Sequence, residues 1–229
     1  MIFSSNKRIV HDVNIKNNTN IDRVYTSKFL GVQIDSKFHW DSHINYTCKT
    51  LSKCVGILNK ARRILNTDTL KTLYYTFAYP YLIYCNIVWG NAHQIHLNKL
   101  LKIQKRIIRI INNNAYKLES KSLFLKFNML DVYQIHFYLV ANFMYKYMNG
   151  ALPPNFNEMF NLLFENHDYC TRQTNSLKIP LCKLDMLKRT LRYNGVIIWN
   201  KIQYIAEIIN SLDVFKMHIK SSLLSGMCL

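Results

Sequence analysis

From Asp41 onward the apolar residues recur at the spacing of an α-helix, with Ile44, Cys48, Leu51, Val55, Leu58 and Leu65 on one side. A stripe this regular commits the segment to lie on a core with one face and to present the other. Asp41 or Ser42 stands where the first turn needs a cap. At about 100° per residue, Lys49, Lys53, Lys60 and Arg63 line up opposite the apolar side, and Gly56 lies in the middle of their stripe. Glycine inside a helix costs about 1 kcal/mol against alanine. Its place on the basic face suggests a site where another backbone comes close. A second helix repeats the pattern: Leu97, Leu100, Leu101, Ile107, Ile108 and Ile111 form its apolar stripe, and Lys99, Lys102, Lys105, Arg106 and Arg109 gather on the other side.

The remaining pattern builds a mainly α chain around these two helices. Before them, Val13-Asn14-Ile15, Ile21 to Tyr25 and Phe29 to Ile34 alternate apolar with polar, and Asn17 to Asn20 reads as a turn, so residues 1–40 predict a small β-hairpin or meander. In the last of these runs Gly31 suggests a bend or a close approach. Asp68 to Ala78 and Pro80 to Val88 predict two helices, the second stopped at Trp89-Gly90-Asn91. The stretch between Lys71 and Lys99 has no charged residue, but Pro80, five tyrosines and the polar Asn86, Asn91, His93 and Gln94 make it a poor membrane span. Glu119 to Phe127 and Val132 to Met148 predict two more helices, the latter ending at Asn149-Gly150. Pro153-Pro154 marks a boundary between a helical domain, 41–150, and a smaller loop-rich helical region, 151–229. That region holds a short extended piece at Leu177 to Ile179 and a final pair of helices around Leu191 to Trp199 and Leu212 to Leu224.

Thirty Lys and Arg against thirteen Asp and Glu give a formal charge of +17, and such a surface attracts polyanions. Nucleic acid is the first partner to consider, and its binding would rest on phosphate contacts. The six cysteines show no Cys-x-x-Cys pair and read as reduced thiols of an intracellular protein, in nucleus or cytoplasm. His167 and Cys170 are three apart, with no second pair to complete a metal site. No two acids are adjacent and no Tyr- or Phe-x-Asp-Asp occurs, so the metal-binding carboxylates of a polymerase are missing. Asp22, Asp35 and Lys37 could form a metal-dependent nuclease site, in which two acids hold the ion and the lysine activates water. The plainer reading makes Asp35-Ser36 a turn after a strand. A further alternative is a non-catalytic helical protein–protein interaction module whose basic faces are merely solvated.

Phe29-Leu30-Gly31-Val32-x-Ile34-Asp35, followed by Trp40 and His43-Ile44, resembles the segment after the polymerase palm in non-LTR retrotransposon reverse transcriptases of the jockey-like kind. Further likenesses follow in the family's order: Pro80-Tyr81-Leu82-x-Tyr84-Cys85, Val88-Trp89-Gly90, Leu101-x-x-Gln104-Lys105-Arg106 and Arg109-Ile110-Ile111. Thr171-Arg172, Pro180, Gly195-x-x-x-Trp199-Asn200 and Phe215-Lys216 continue them, with Gln203 departing from the family's usual proline. The resemblance implies that Phe29, Leu30, Gly31 and Val32 are similar to a primer grip, and that the helices after them form a thumb. By that likeness Lys49, Lys53, Gly56, Lys60, Arg63, Lys102, Lys105, Arg106 and Arg109 would meet the backbone of an RNA or DNA template–primer without regard to sequence. Retroelement RNA or another retroelement protein would be further partners. The family's catalytic aspartates, which bind magnesium in the intact enzyme, belong to a segment upstream of this one. The expectation is therefore a truncated reverse transcriptase fragment that binds without cofactor and is inactive alone.

Overall fold

The computed structural model describes residues 24–113, 118–162 and 176–226. Strands β1 (Thr26–Phe29) and β2 (Val32–Asp35) pair antiparallel, with Phe29 opposite Val32 and Thr26 opposite Asp35. The run from Phe29 to Ile34 is thus not one strand. Leu30 and Gly31 are its turn, both at positive φ (45° and 83°), as a two-residue hairpin that follows the twist of its strands requires. Val32 faces the core and Leu30 stands out in solvent. The earlier runs at Val13 and Asn17, and the start of the run at Ile21, lie outside the described residues.

Between hairpin and first helix the chain turns sharply through Phe38 and Trp40, both left-handed. Asp35 holds that turn: its Oδ1 accepts from the backbone N–H of Lys37 and of His39 (3.0 Å each) and its Oδ2 from that of Trp40 (2.8 Å). Helix α1 (Asp41–Ala61) follows, with Trp40 at its N-cap and no side-chain cap, so neither Asp41 nor Ser42 has the capping role expected of it. The helix ends at Ala61. Arg63 and Leu65 lie in the turn beyond it rather than on its faces.

Asn66 opens α2 (Thr67–Leu73) by accepting from Thr69 N–H and Thr69 Oγ1. Instead of breaking before Pro80, the helix widens into a π turn (Tyr74–Ala78) and runs on as α3 (Tyr79–Ile83). Proline has no N–H for the carbonyl four residues back and its ring collides with that carbonyl. The wider turn, closed by Tyr79 N–H on Tyr74 O, accommodates both defects. The chain does break at Cys85, which is left-handed, before the short α4 (Asn86–Trp89). Gly90 is not the left-handed stop its sequence context suggests, because its φ is −69°. A Cβ there would stand 2.3 Å from Asn86 Oδ1 and 2.4 Å from His136 Nδ1. Close packing is what requires the glycine.

Helix α5 (Gln94–Ile111) is followed by α6 (Ser120–Lys126) and α7 (Val132–Met148). Asp131 and Gln134 cap α7 reciprocally, and Gly150 at φ 64° ends it, with Ala151 N–H bonded to Lys146 O. After a 3₁₀ turn (Pro154–Phe156), Leu162 and Leu177 form an isolated antiparallel bridge. Short α8 (Asp185–Lys188), then α9 (Leu191–Ile208) and α10 (Leu212–Ser225) complete the described chain. Helix α9 is longer than the pattern to Trp199 suggested. The architecture is mainly helical with a small two-stranded hairpin leading into it.

Two clusters of buried side chains hold the elements. One gathers Ile44, Leu51, Leu58, Trp89, Leu100 and Ile107 from α1 to α6. The other gathers Met144, Tyr145, Val196, Trp199, Ile202 and Phe215 from α7, α9 and α10. Helix α7 serves both, with Val132 and Ile135 in the first and Val140 to Tyr145 in the second. Phe215 stacks on Tyr145 (4.4 Å between ring centres), and the Asn200 side chain pairs with both the N–H and the C=O of Leu177 at 2.9 Å.

Candidate nucleic-acid interface

Helices α1 and α5 begin side by side. The His39 ring meets His93 at 6.1 Å, and six residues further along each segment Lys99 Nζ donates to Asn45 Oδ1 at 3.2 Å. The two therefore advance in step and run parallel, although the chain between them folds back through α2, α3 and α4. Sequence periodicity shows each basic face alone. Their adjacency comes from this packing, and the Lys99–Asn45 contact is the seam between them.

On α1, Lys49, Lys53 and Lys60 are all exposed and lie with Gly56 in an arc of about 60° at ~100° per residue. Arg63 is exposed in the turn past the helix end, where it extends the line without belonging to the helix face. Among the described residues a Cβ built on Gly56 would meet nothing within 4 Å, so their packing does not require glycine there. On α5, Lys102 and Arg106 are exposed, and Lys105 and Arg109 are half-buried. Arg109 Nε is a buried donor without a partner among the described residues. The pairs Arg189–Asp185 and Lys216–Asp213 are remote in sequence from both faces, and α5 carries no acidic residue at all. Among the described residues Lys49, Lys53, Lys60, Lys102 and Arg106 have no ion pair, while Lys105 shares a pocket with Glu119 and Asp131.

The four primer-grip-like residues come together at the hairpin tip. Phe29 and Leu30 are 64% and 73% exposed, Val32 is buried, and Gly31 lies over the ring of Tyr84, where a Cβ would be 3.4 Å from Cε1. Tyr84 Oη donates to Leu30 O and so ties the tip to the end of α3. Tyr46, Tyr81 and Tyr84 border this tip; the sequence marks Tyr81 and Tyr84 only through the family likeness and gives no sign of Tyr46. Their exposure, 41%, 42% and 51%, was the missing signal.

Asp35, a member of the alternative acidic site, spends both carboxylate oxygens on the turn before α1. Lys37 is exposed, and Asp22 lies outside the described residues, as do His167 and Cys170. Among the described residues no three of His, Cys, Asp and Glu converge as metal ligands would. Cys48, Cys54, Cys85 and Cys182 are free thiols, and burial raises the pKa of Cys48 and Cys54. Among the described residues no helix is long and apolar enough to cross a membrane. Comparison of the chain with protein-family models, with curated proteins and with solved structures finds no match.

Proposed function

We propose that this chain is the thumb-side part of a non-LTR retrotransposon reverse transcriptase, gripping template–primer nucleic acid through the joined basic faces of α1 and α5. One observation carries the reading. Two parallel helices turn uncompensated cations outward on either side of the Lys99–Asn45 seam, and Gly56 leaves open space within that surface. Lysines at successive turns suit the phosphates of a backbone rather than base edges, so binding is indifferent to sequence. The family likeness of the hairpin tip and of the segments after it supports the choice of template–primer over other polyanions. The engagement of Asp35 in its turn favours a grip over metal-dependent cleavage.

A salt titration of duplex binding tests the proposal. Engagement of six exposed cations, Lys49, Lys53, Lys60, Arg63, Lys102 and Arg106, predicts a log–log slope near −5, from roughly −0.9 per phosphate contact. Charge reversal at Lys53 and Lys60 together should lower affinity at least about tenfold while leaving the unfolding midpoint in place. Weak binding that salt does not change would reject the grip and favour a protein–protein module.

A further inference from the structure

Below the hairpin tip a cleft of about 300 Å³ opens between β1, the first turns of α1 and α3, with Lys28, His43, Tyr46, Tyr81 and Tyr84 on its walls. Among the described residues no carboxylate lines it. Three tyrosine rings converge there while each stays roughly half exposed, at 41% to 51%. Aromatic rings of that size normally bury most of their area in the core. The Tyr84 hydroxyl donates to Leu30 O, which ties one wall to the hairpin. The opening also continues into the basic face: Tyr46, Lys49 and Lys53 are three and seven residues apart on one helix, hence on one side of it.

Resting on the nucleic-acid reading above, we infer that this cleft takes one unpaired nucleobase, at the end of a strand whose phosphates run onto Lys49 and Lys53. The chemistry selects this occupant. Bases inside a duplex have both faces stacked, whereas an unpaired end offers a free π-face to tyrosine, and stacking of this kind accepts any base. The volume sits at the low end of small-molecule sites, roughly 300 to 1,000 Å³, which fits one ring system and not a length of peptide. Lys28 at the hairpin side supplies a cation where the terminal phosphate group would pass.

The test uses the whole chain and two DNA duplexes of equal length, one blunt and one with a short single-stranded overhang ending in 2-aminopurine. Stacking of one base predicts overhang binding on the order of tenfold tighter than blunt, with a change in 2-aminopurine emission. Tyr46→Ala and Tyr81→Ala should each remove that preference and the emission change, leaving blunt-duplex affinity as it was, and Tyr81→Phe should keep both. On the unaltered chain, photocrosslinking of a terminal 5-iodouracil should mark Tyr46, Tyr81 or Tyr84. Equal affinity for the two duplexes, a preference insensitive to the tyrosine variants, or crosslinks elsewhere would overturn the inference while leaving the basic grip intact. Failure of both duplexes to bind would remove the grip and the cleft's role together.

Discussion

His136 is gripped on both ring nitrogens. Asn86 gives its Nδ2 to Leu82 O, so its Oδ1 must accept from His136 Nδ1, 3.0 Å away, and His136 Nε2 must then accept from Asn194 Nδ2, also at 3.0 Å. That arrangement needs a neutral ring. Burial pushes the pKa down to about 4, against a partial upward pull from Asn86. With the folded value below the unfolded one, the unfolded chain binds the proton more readily. Stability is therefore full above about pH 6.5 and falls as pH drops toward 4, by roughly 3 kcal/mol across the window. Urea unfolding at a series of pH values checks this, and His136→Gln should flatten the profile over that range. Gly90 belongs to the same knot. A methyl there would press on Asn86 and His136, so Gly90→Ala should cost on the order of 3 kcal/mol, read from the same denaturation curves. Neither role is legible in the sequence, because Trp89-Gly90-Asn91 spells a helix stop and the histidine that makes it something else is far away in the chain.

At the scale of elements, what was legible follows the reach of local rules. Val132 to Met148 is found to the residue, since an apolar body and an Asn-Gly stop are both local. The break expected before Pro80 fails, because a π turn can absorb a proline without ending the helix. The turn at Leu30-Gly31 shows in the sequence only as a bend or close approach at Gly31, because leucine is a poor advertisement for positive φ. Both basic faces were legible, since periodicity is a property of one helix, but the seam joining them was not. Gly56 separates fold from function most cleanly. With open space around it, Gly56→Ala should raise the unfolding free energy by up to about 1 kcal/mol through helix propensity alone. If a nucleic-acid backbone approaches there, the same variant should weaken binding in a filter or anisotropy assay, and unchanged affinity would clear the position. Asp35→Ala should loosen the junction between hairpin and α1 by roughly 1–3 kcal/mol, visible as faster amide exchange at His39 and Trp40.

For the whole molecule, α7 matters most. The division expected after residue 150 falls just beyond a helix whose first turns lie in one cluster and whose later turns lie in the other. A chain ending at residue 150 would uncover Val140, Met144 and Tyr145, so it should melt at a lower temperature than the full chain in thermal unfolding followed by circular dichroism. Hydropathy cannot reveal such sharing, since one apolar helix reads the same whether it serves one core or two. The parallel course of α1 and α5 has a kinetic consequence. Neighbouring helices joined by a short loop run antiparallel and can zip together as they form, but these two can meet only after residues 62–93 have travelled back the length of α1. Closing that excursion is an entropic cost incurred before any contact returns it. The surface proposed to hold nucleic acid thus exists only once that excursion has closed, and a polyanion present during refolding finds a complete grip only after α1 and α5 have met.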